Sequence, residues 1–225
     1  MAAGNWTLYN QAKSLLGSAG LNFGSANINM ILATTSYTPN ADAHATYADV
    51  SGSEVAAGGG YSSGGLTLSG NIWSLGAKSA VIAAGGSGYA VSSTFNVTVS
   101  GGTFSTAAVV NVTTNGSGVV TTVNSITTFG AYTVLPTGPV ATTGGAGTGL
   151  TLTITWMAYF SSSNVQWTSS TITARYAVLV LRAGGSLTST DKLIAYGDLT
   201  GGGSASDFSG TFQVTLSGVA ALQLS

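Results

Sequence analysis

From Ser79 to Ala174 the chain carries no Asp, Glu, Lys or Arg, and all eleven such residues lie outside that run. Disorder normally needs low hydrophobicity and high net charge, and this stretch offers neither. Its Val, Ile and Leu side chains alternate with Ser, Thr and Asn between glycine pairs, which is the pattern of strands joined by turns. Lys78 and Arg175 therefore bound a charge-free segment set inside a charged, mixed outer part. We read the first as an insertion in the second.

The outer part turns on Val165 to Arg182. Val165 and Trp167 alternate, then Ile172, Ala174, Tyr176, Val178 and Val180 share one side of a period-two pattern. The other side becomes apolar from Ala177 on, through Leu179 and Leu181. The pattern predicts one long strand whose second half is buried on both faces and so lies in the middle of a sheet.

Charged residues make up 5% of the 225-residue chain against roughly a quarter in ordinary soluble domains, while the hydrophobic fraction is 44%. A net charge of -1 without any Lys/Arg cluster gives nothing to hold phosphates, so nucleic acid is not an expected partner. Near-zero charge suits a fixed assembly better than a crowded free monomer. No apolar stretch is long enough for a membrane helix, and the first residues lack the basic start and apolar run of a secretion signal. The absence of Cys excludes disulfides and thiolate metal sites.

In chain order, Asn5 to Ser18 reads as a short amphipathic helix with Leu8, Ala12, Leu15 and Leu16 on one face and Asn5 or Thr7 as its cap. Asn27 to Ala33 reads as a strand ending at the Thr34 to Pro39 turn, and Gly58 to Gly65 as a flexible hinge around Tyr61. Within the charge-free segment a weak repeat recurs at a spacing of 43: Tyr89-Ala-Val91 as Tyr132-Thr-Val134, and Gly101-Gly102 as Gly144-Gly145. Asn115 to Gly118 separates two β-rich runs as a hairpin turn would, and Pro136 and Pro139 mark a bend or an edge. Lys192 to Leu199, Gly210 to Leu216 and Val219 to Leu224 supply further strands.

Asn40 to Glu54 gathers Asp42, His44, Asp49 and Glu54. Closely spaced oxygen ligands on a loop suit Ca²⁺, but the EF-hand spacing and its glycine are absent, so turn and capping carboxylates are the expectation. His44 is the one His available to a nucleophilic triad, and no G-x-S-x-G elbow accompanies it. Gly58 to Gly60 and Gly201 to Gly203 lack the Lys and helix of a phosphate loop. No catalytic residue, metal ligand or cofactor site is expected. Trp73, Trp156, Trp167, Tyr176 and Phe212 read as core or interface anchors. The N-x-S/T sequons at Asn5, Asn96, Asn111 and Asn115 are unremarkable in so Ser/Thr-rich a chain.

Several stretches, taken in order, resemble a family of small virion structural proteins of tailed bacteriophages. They are Trp6-Thr-Leu-Tyr-Asn-Gln-Ala-Lys13, Thr34-Thr-Ser-Tyr-Thr-Pro39, Ala41-Asp-Ala-His44, Asp49-Val50, Glu54-Val55, Gly60-Tyr61, Gly64-Gly65, Leu66-Thr-Leu68, Trp167 to Ala177 and Leu193-Ile-Ala-Tyr196. The charge-free segment, with Gly86-Ser-Gly-Tyr89 and Gly144-Gly-Ala-Gly-Thr-Gly149, is similar to a repeat module inserted in various phage structural proteins; its second copy departs, reading Phe129-Gly-Ala-Tyr132.

The expectation is an all-β fold, mainly an antiparallel sandwich or barrel-like, with one short N-terminal helix and an inserted β-rich domain. Residues 1–78 plus 158–225 form the outer, attaching domain and 79–157 the projecting insertion. The resemblance implies a non-enzymatic capsid decoration or cement protein, located in the virion after assembly in the host cytoplasm. Its expected partners are the major capsid protein or other virion proteins and further copies of itself, a trimer among the options, with neither nucleic acid nor membrane. The alternative is a head- or tail-fibre module that binds a host glycan or receptor through the insertion, with Tyr89, Phe104, Phe129 and Tyr132 as contacts.

Overall fold

The computed structural model describes residues 6–201, 205–206, 210–216 and 222–224. The fold is all-β and mainly antiparallel, with two short helices among the described residues. In chain order its elements are β1 (Thr7–Leu8), α1 (Asn10–Gly17), β2 (Ile28–Ala33), α2 (Ala48–Ser51), β3 (Leu66–Thr67), β4 (Ile72–Ser87), β5 (Thr94–Val99), β6 (Thr103–Thr106), β7 (Val109–Thr114) and β8 (Val120–Thr128). There follow β9 (Ala131–Val134), β10 (Val140–Thr143), β11 (Thr148–Ser161), β12 (Val165–Ser170), β13 (Thr173–Ala174), β14 (Tyr176–Leu181), β15 (Lys192–Asp198), β16 (Ala205–Ser206), β17 (Gly210–Val214) and β18 (Leu222–Leu224).

Two compact units divide the chain: Met1–Trp73 with Phe160–Leu222, and Ser74–Tyr159 with Gln223–Ser225. The division falls inside strands β4 and β11, whereas the sequence places the limits at 78/79, from the charge pattern, and at 157/158, from the family resemblance. Lys78 is an exposed strand residue, so it marks access to solvent and not a change of unit.

In the first unit, a five-stranded sheet has the order β1-β15-β14-β2-β3. β14 lies at its centre, and Ala177, Val178, Leu179 and Val180 are fully buried. On one face Ile28, Met30, Leu32, Ala177 and Leu179 pack against Val165 and Trp167 of β12 and Phe212 and Val214 of β17, a short antiparallel ladder laid over the sheet. On the other, Ile31, Val178, Val180 and Leu193 are covered by Tyr9, Tyr37 and Val50. Each such fully buried side chain contributes about 1.5–3 kcal/mol relative to exposure.

The run from Val165 to Arg182 is three strands and not one. β12 pairs β17, β13 pairs β16, and β14 joins the large sheet. Alternation does not hold one phase across it: Val165 and Trp167, then Ile172 and Ala174, then Ala177 and Leu179 all enter the same core, so the parity shifts twice. The first shift falls at a register irregularity between Trp167 and Ser170, where Ser169 has φ 51°, and the second at Arg175. An extra residue in a strand does this by turning the chain into another sheet while keeping the buried face buried.

The helix begins at Asn10, later than the periodicity suggests, because Thr7 and Leu8 pair with Tyr196 and Ala195 on the sheet edge. Neither expected cap serves it: Tyr9 holds the N-cap position with no side-chain bond. The glycine-rich stretch around Tyr61 is a packed loop and not a hinge. Tyr61 is buried, its hydroxyl accepts a bond from Leu32 N, and a Cβ on Gly65 (φ 63°) would lie 1.9 Å from Met30 O. Glycine is there for close approach of backbones.

The second unit is a nine-stranded sheet ordered β6-β9-β4-β11-β10-β5-β7-β8, with β18 added on β11. Its core is Val97, Val99, Val110, Val112, Leu150 and Leu152 with Tyr89 and Tyr132. The 43-residue offset of the sequence repeat reappears in the pairing. It carries β5 onto β10, β7 into β11 and β4 onto β8, so the six strands β8-β7-β5 and β10-β11-β4 are related about the β5–β10 contact. Val99 pairs with Thr142, its own equivalent. Leu75 pairs with Tyr132, and the equivalent positions Gly118 and Tyr89 are joined by a 3.2 Å backbone bond. Both glycine pairs, Gly101-Gly102 and Gly144-Gly145, have positive φ. Each half gives its first strand to the last strand of the other, β4 to β11 and β8 to β7, so neither half has a complete sheet alone.

Where the chain leaves and re-enters the first unit, Ser162 Oγ and Ser163 N both bond to Ser69 O, at 2.8 and 2.9 Å. Close ends are what tolerance to excision requires. A chain in which residues 74–159 are replaced by a short turn is expected to stay soluble and unfold cooperatively, read by circular dichroism. Loss of a cooperative transition would contradict the two-unit organisation.

Candidate functional site

The residues of the 40–54 loop do not converge. Asp42 Oδ1 accepts from Asn10 Nδ2 at 2.6 Å. Asp49 Oδ2 accepts from Ala45 N and Thr46 N, at 2.9 and 2.8 Å, and so holds the turn ahead of α2. Glu54 Oε1 accepts from Tyr61 OH (2.6 Å) and Gly64 N (2.7 Å), and its Oε2 accepts from Tyr47 OH. His44 Nδ1 lies 3.1 Å from Tyr37 OH, which in turn lies 2.6 Å from Tyr9 OH. Among the described residues no group of three His, Asp or Glu side chains is placed to hold a metal ion.

The same use recurs elsewhere in the first unit. Buried Asp191 accepts from Ala183 N (3.0 Å) and Thr188 N (2.8 Å), closing the 183–191 loop. Asp198 Oδ1 accepts from Thr200 N, Thr200 Oγ1 and Gly201 N, while Oδ2 faces Arg175 Nε at 3.3 Å. Arg175 also stands 5.0 Å from the centre of the Tyr176 ring. Five of the six carboxylates thus accept bonds from within the chain, and the sixth, Asp207, lies outside the described residues.

Titration follows from these contacts. The backbone N–H groups of Thr46 and Ala45 hold Asp49 below the ordinary carboxylate range, against the opposing effect of burial. For Asp198 burial pushes upward, but Thr200 and Arg175 together outweigh it and the pKa is lowered. Burial, with Glu54 as acceptor, pushes Tyr47 up to about 12. Burial likewise raises Tyr37 to about 12 and raises Tyr9, Tyr61 and Tyr159.

The aromatic residues serve packing. Trp167 and Phe212 are buried with ring centroids 5.8 Å apart, and Trp73 stacks on Phe23 at 4.8 Å. In the second unit the aromatic contacts expected for a glycan are not available as a platform. Tyr89 and Tyr132 are buried, Phe129 is half-buried against Tyr159, and Phe104 alone of the four is exposed, at 43%. Gly147 lies so close that a Cβ there would be 2.5 Å from Tyr89 Cγ, which fixes that ring in place. Alternation marked these positions as strand residues without telling an inward from an outward face.

A groove of about 290 Å³ in the first unit is lined by Leu66 to Ser69 and Ser163 to Gln166. β3 ends the five-stranded sheet and, among the described strands, β12 pairs with β17, so the ends of two strands border the groove. Sequence reasoning missed this groove because both walls are short loop-strand junctions with no motif. Asn96 and Asn111, which carry sequons, belong to a row of linked amides on the second unit. Comparison of the chain with protein-family models, with curated proteins and with solved structures finds no match in any of the three.

Two pH limbs follow. Lowered carboxylate pKa values stabilise the fold above about pH 4, and that stability is lost as pH falls through the ordinary range and below. Asp49→Asn and Asp198→Asn should each lower the thermal midpoint at pH 7, with the deficit narrowing below about pH 4. Raised Tyr pKa values stabilise the fold below about pH 10 and that stability is lost as pH rises from there. Tyrosinate absorbance should therefore stay short of full amplitude until the fold is lost, and full titration of a folded protein near pH 10 would contradict the burial described.

Proposed function

We propose that the chain is a structural component of a tailed-phage virion, a capsid decoration protein that binds the assembled shell through its first unit and carries the second. The observation that supports this reading best is what the residues of the family resemblance do. Tyr37, His44, Asp49, Glu54, Tyr61, Trp167 and Arg175 all hold loops or fill the core of the first unit. Each of them has a part in the architecture of that unit.

Attachment then has to work without charge. With five basic and six acidic residues in the whole chain, and the described acids engaged internally, few ion pairs can form across an interface. Apolar burial and backbone hydrogen bonding remain. The groove between β3 and β12 offers backbone groups on either side and the half-buried Leu66 to an extended shell segment laid there.

Densitometry of purified virions tests the reading. A decoration protein follows the symmetry of the shell, so its band should stand in a simple ratio to the capsid protein. A band at a small fraction of that ratio, as for a fibre, would contradict shell decoration.

A further inference from the structure

The duplication in the second unit separates what the fold requires from what it does not. A feature needed to build the sheet recurs in both halves, as the glycine pairs and the Tyr89 and Tyr132 positions do. One feature occurs in a single half. On the outer face of β5, β7 and β8, Asn96, Asn111 and Asn124 form a continuous row. Asn124 Nδ2 donates to Asn111 Oδ1 at 2.8 Å, and Asn111 Nδ2 donates to Asn96 Oδ1 at 2.7 Å. A threonine row runs beside it: Thr94 Oγ1 and Thr113 Oγ1 are 2.8 Å apart, Thr113 pairs with Thr122, and Asn124 Nδ2 also donates to Thr113 Oγ1 at 2.9 Å. The 43-residue offset places Ile154 of β11 and Val81 of β4 at the positions of Asn111 and Asn124, and Pro139, just ahead of β10, at that of Asn96, so two strands of the sheet carry apolar residues there.

The row has a direction. Every amide donates the same way, leaving Asn96 Nδ2 as an open donor at one end and Asn124 Oδ1 as an open acceptor at the other, neither with a partner among the described residues. Chained amides polarise one another, which strengthens the two terminal groups. With strands about 4.8 Å apart, the ends are separated by about 10 Å across a face of hydroxyls and amides.

We propose that this face binds a neutral glycan. No charged residue occurs on it or anywhere from Ser79 to Ala174, so it offers nothing to phosphate, sulfate, carboxylate or a metal ion. It offers little apolar area to a peptide. Amides and hydroxyls both donate and accept, as sugar hydroxyls do, and a row of them fits an extended chain of saccharide units better than a compact ligand. Without an aromatic platform each site is weak, and useful binding comes from many copies displayed together. The inference does not depend on where the protein sits in a particle.

The test uses the full-length protein, displayed multivalently on beads, against a printed array of neutral hexose and N-acetylhexosamine oligosaccharides, with sialylated and sulfated ones alongside. Retention of neutral oligosaccharides is expected. Asn111→Ile and Asn124→Val, the residues the other half already carries at those positions, should weaken retention by about tenfold or more with the thermal midpoint unchanged. If either variant fails to fold, Asn124→Thr, which shortens the row by one amide, takes its place. No retention of any neutral oligosaccharide, retention of the charged ones alone, or retention that the folded variants leave intact would each overturn the proposal.

Discussion

The first unit depends on carboxylates bonded to backbone N–H groups. A loop that crosses a sheet must find partners for its main-chain donors, and a buried unsatisfied N–H costs about as much as a lost hydrogen bond. Here Asp49, Glu54, Asp191 and Asp198 take the donors of four loops, each binding two or more groups. On one face of the sheet the cover comes from Tyr9 ahead of α1, Tyr37 and Val50 of α2, while Tyr61 and Leu199 join the core on the other. A chain this poor in charge uses most of its acids inside itself, and the neutrality of its surface is the other side of the same fact.

The second unit solves the problem without any acid. Its turns are glycines at positive φ, and Asn115 Oδ1 accepts from Ser117 N and Val119 N in the β7–β8 hairpin, as a carboxylate would. Its coherence comes from exchange of strands between halves, which makes every core residue depend on both copies of the repeat. Duplication also frees one face to diverge, and the asparagine row stands where the other half has Pro139, Ile154 and Val81.

Much of this is legible in the sequence. The all-β class follows from alternation between glycine turns, the burial of Ala177 to Val180 from its unbroken apolar run, and the pseudo-symmetry from a 43-residue spacing read on two short motifs. What escapes is whatever keeps the pattern and changes its phase. Bends at Ser169 and Arg175 shift the parity of the Val165 to Arg182 run, yet each piece stays apolar on its buried side, so alternation reads straight through them. Glycines around Tyr61 look like a hinge because composition cannot distinguish freedom from close approach. In the 40–54 loop Asp49 holds a turn, but the Asp42 bond to Asn10 and the Glu54 link between Tyr47, Tyr61 and Gly64 need contacts that no local spacing displays.

Under the proposed function, a chain this poor in charge attaches to the shell by apolar burial and backbone pairing. Salt separates that account from its opposite, because at about 1 M NaCl the Debye length is about 3 Å and attraction between exposed charges is screened out. Virions washed from low salt to that concentration should keep the protein in unchanged ratio to the capsid band. Its release by salt alone, with the rest of the particle intact, would show that attachment is electrostatic and would contradict the account.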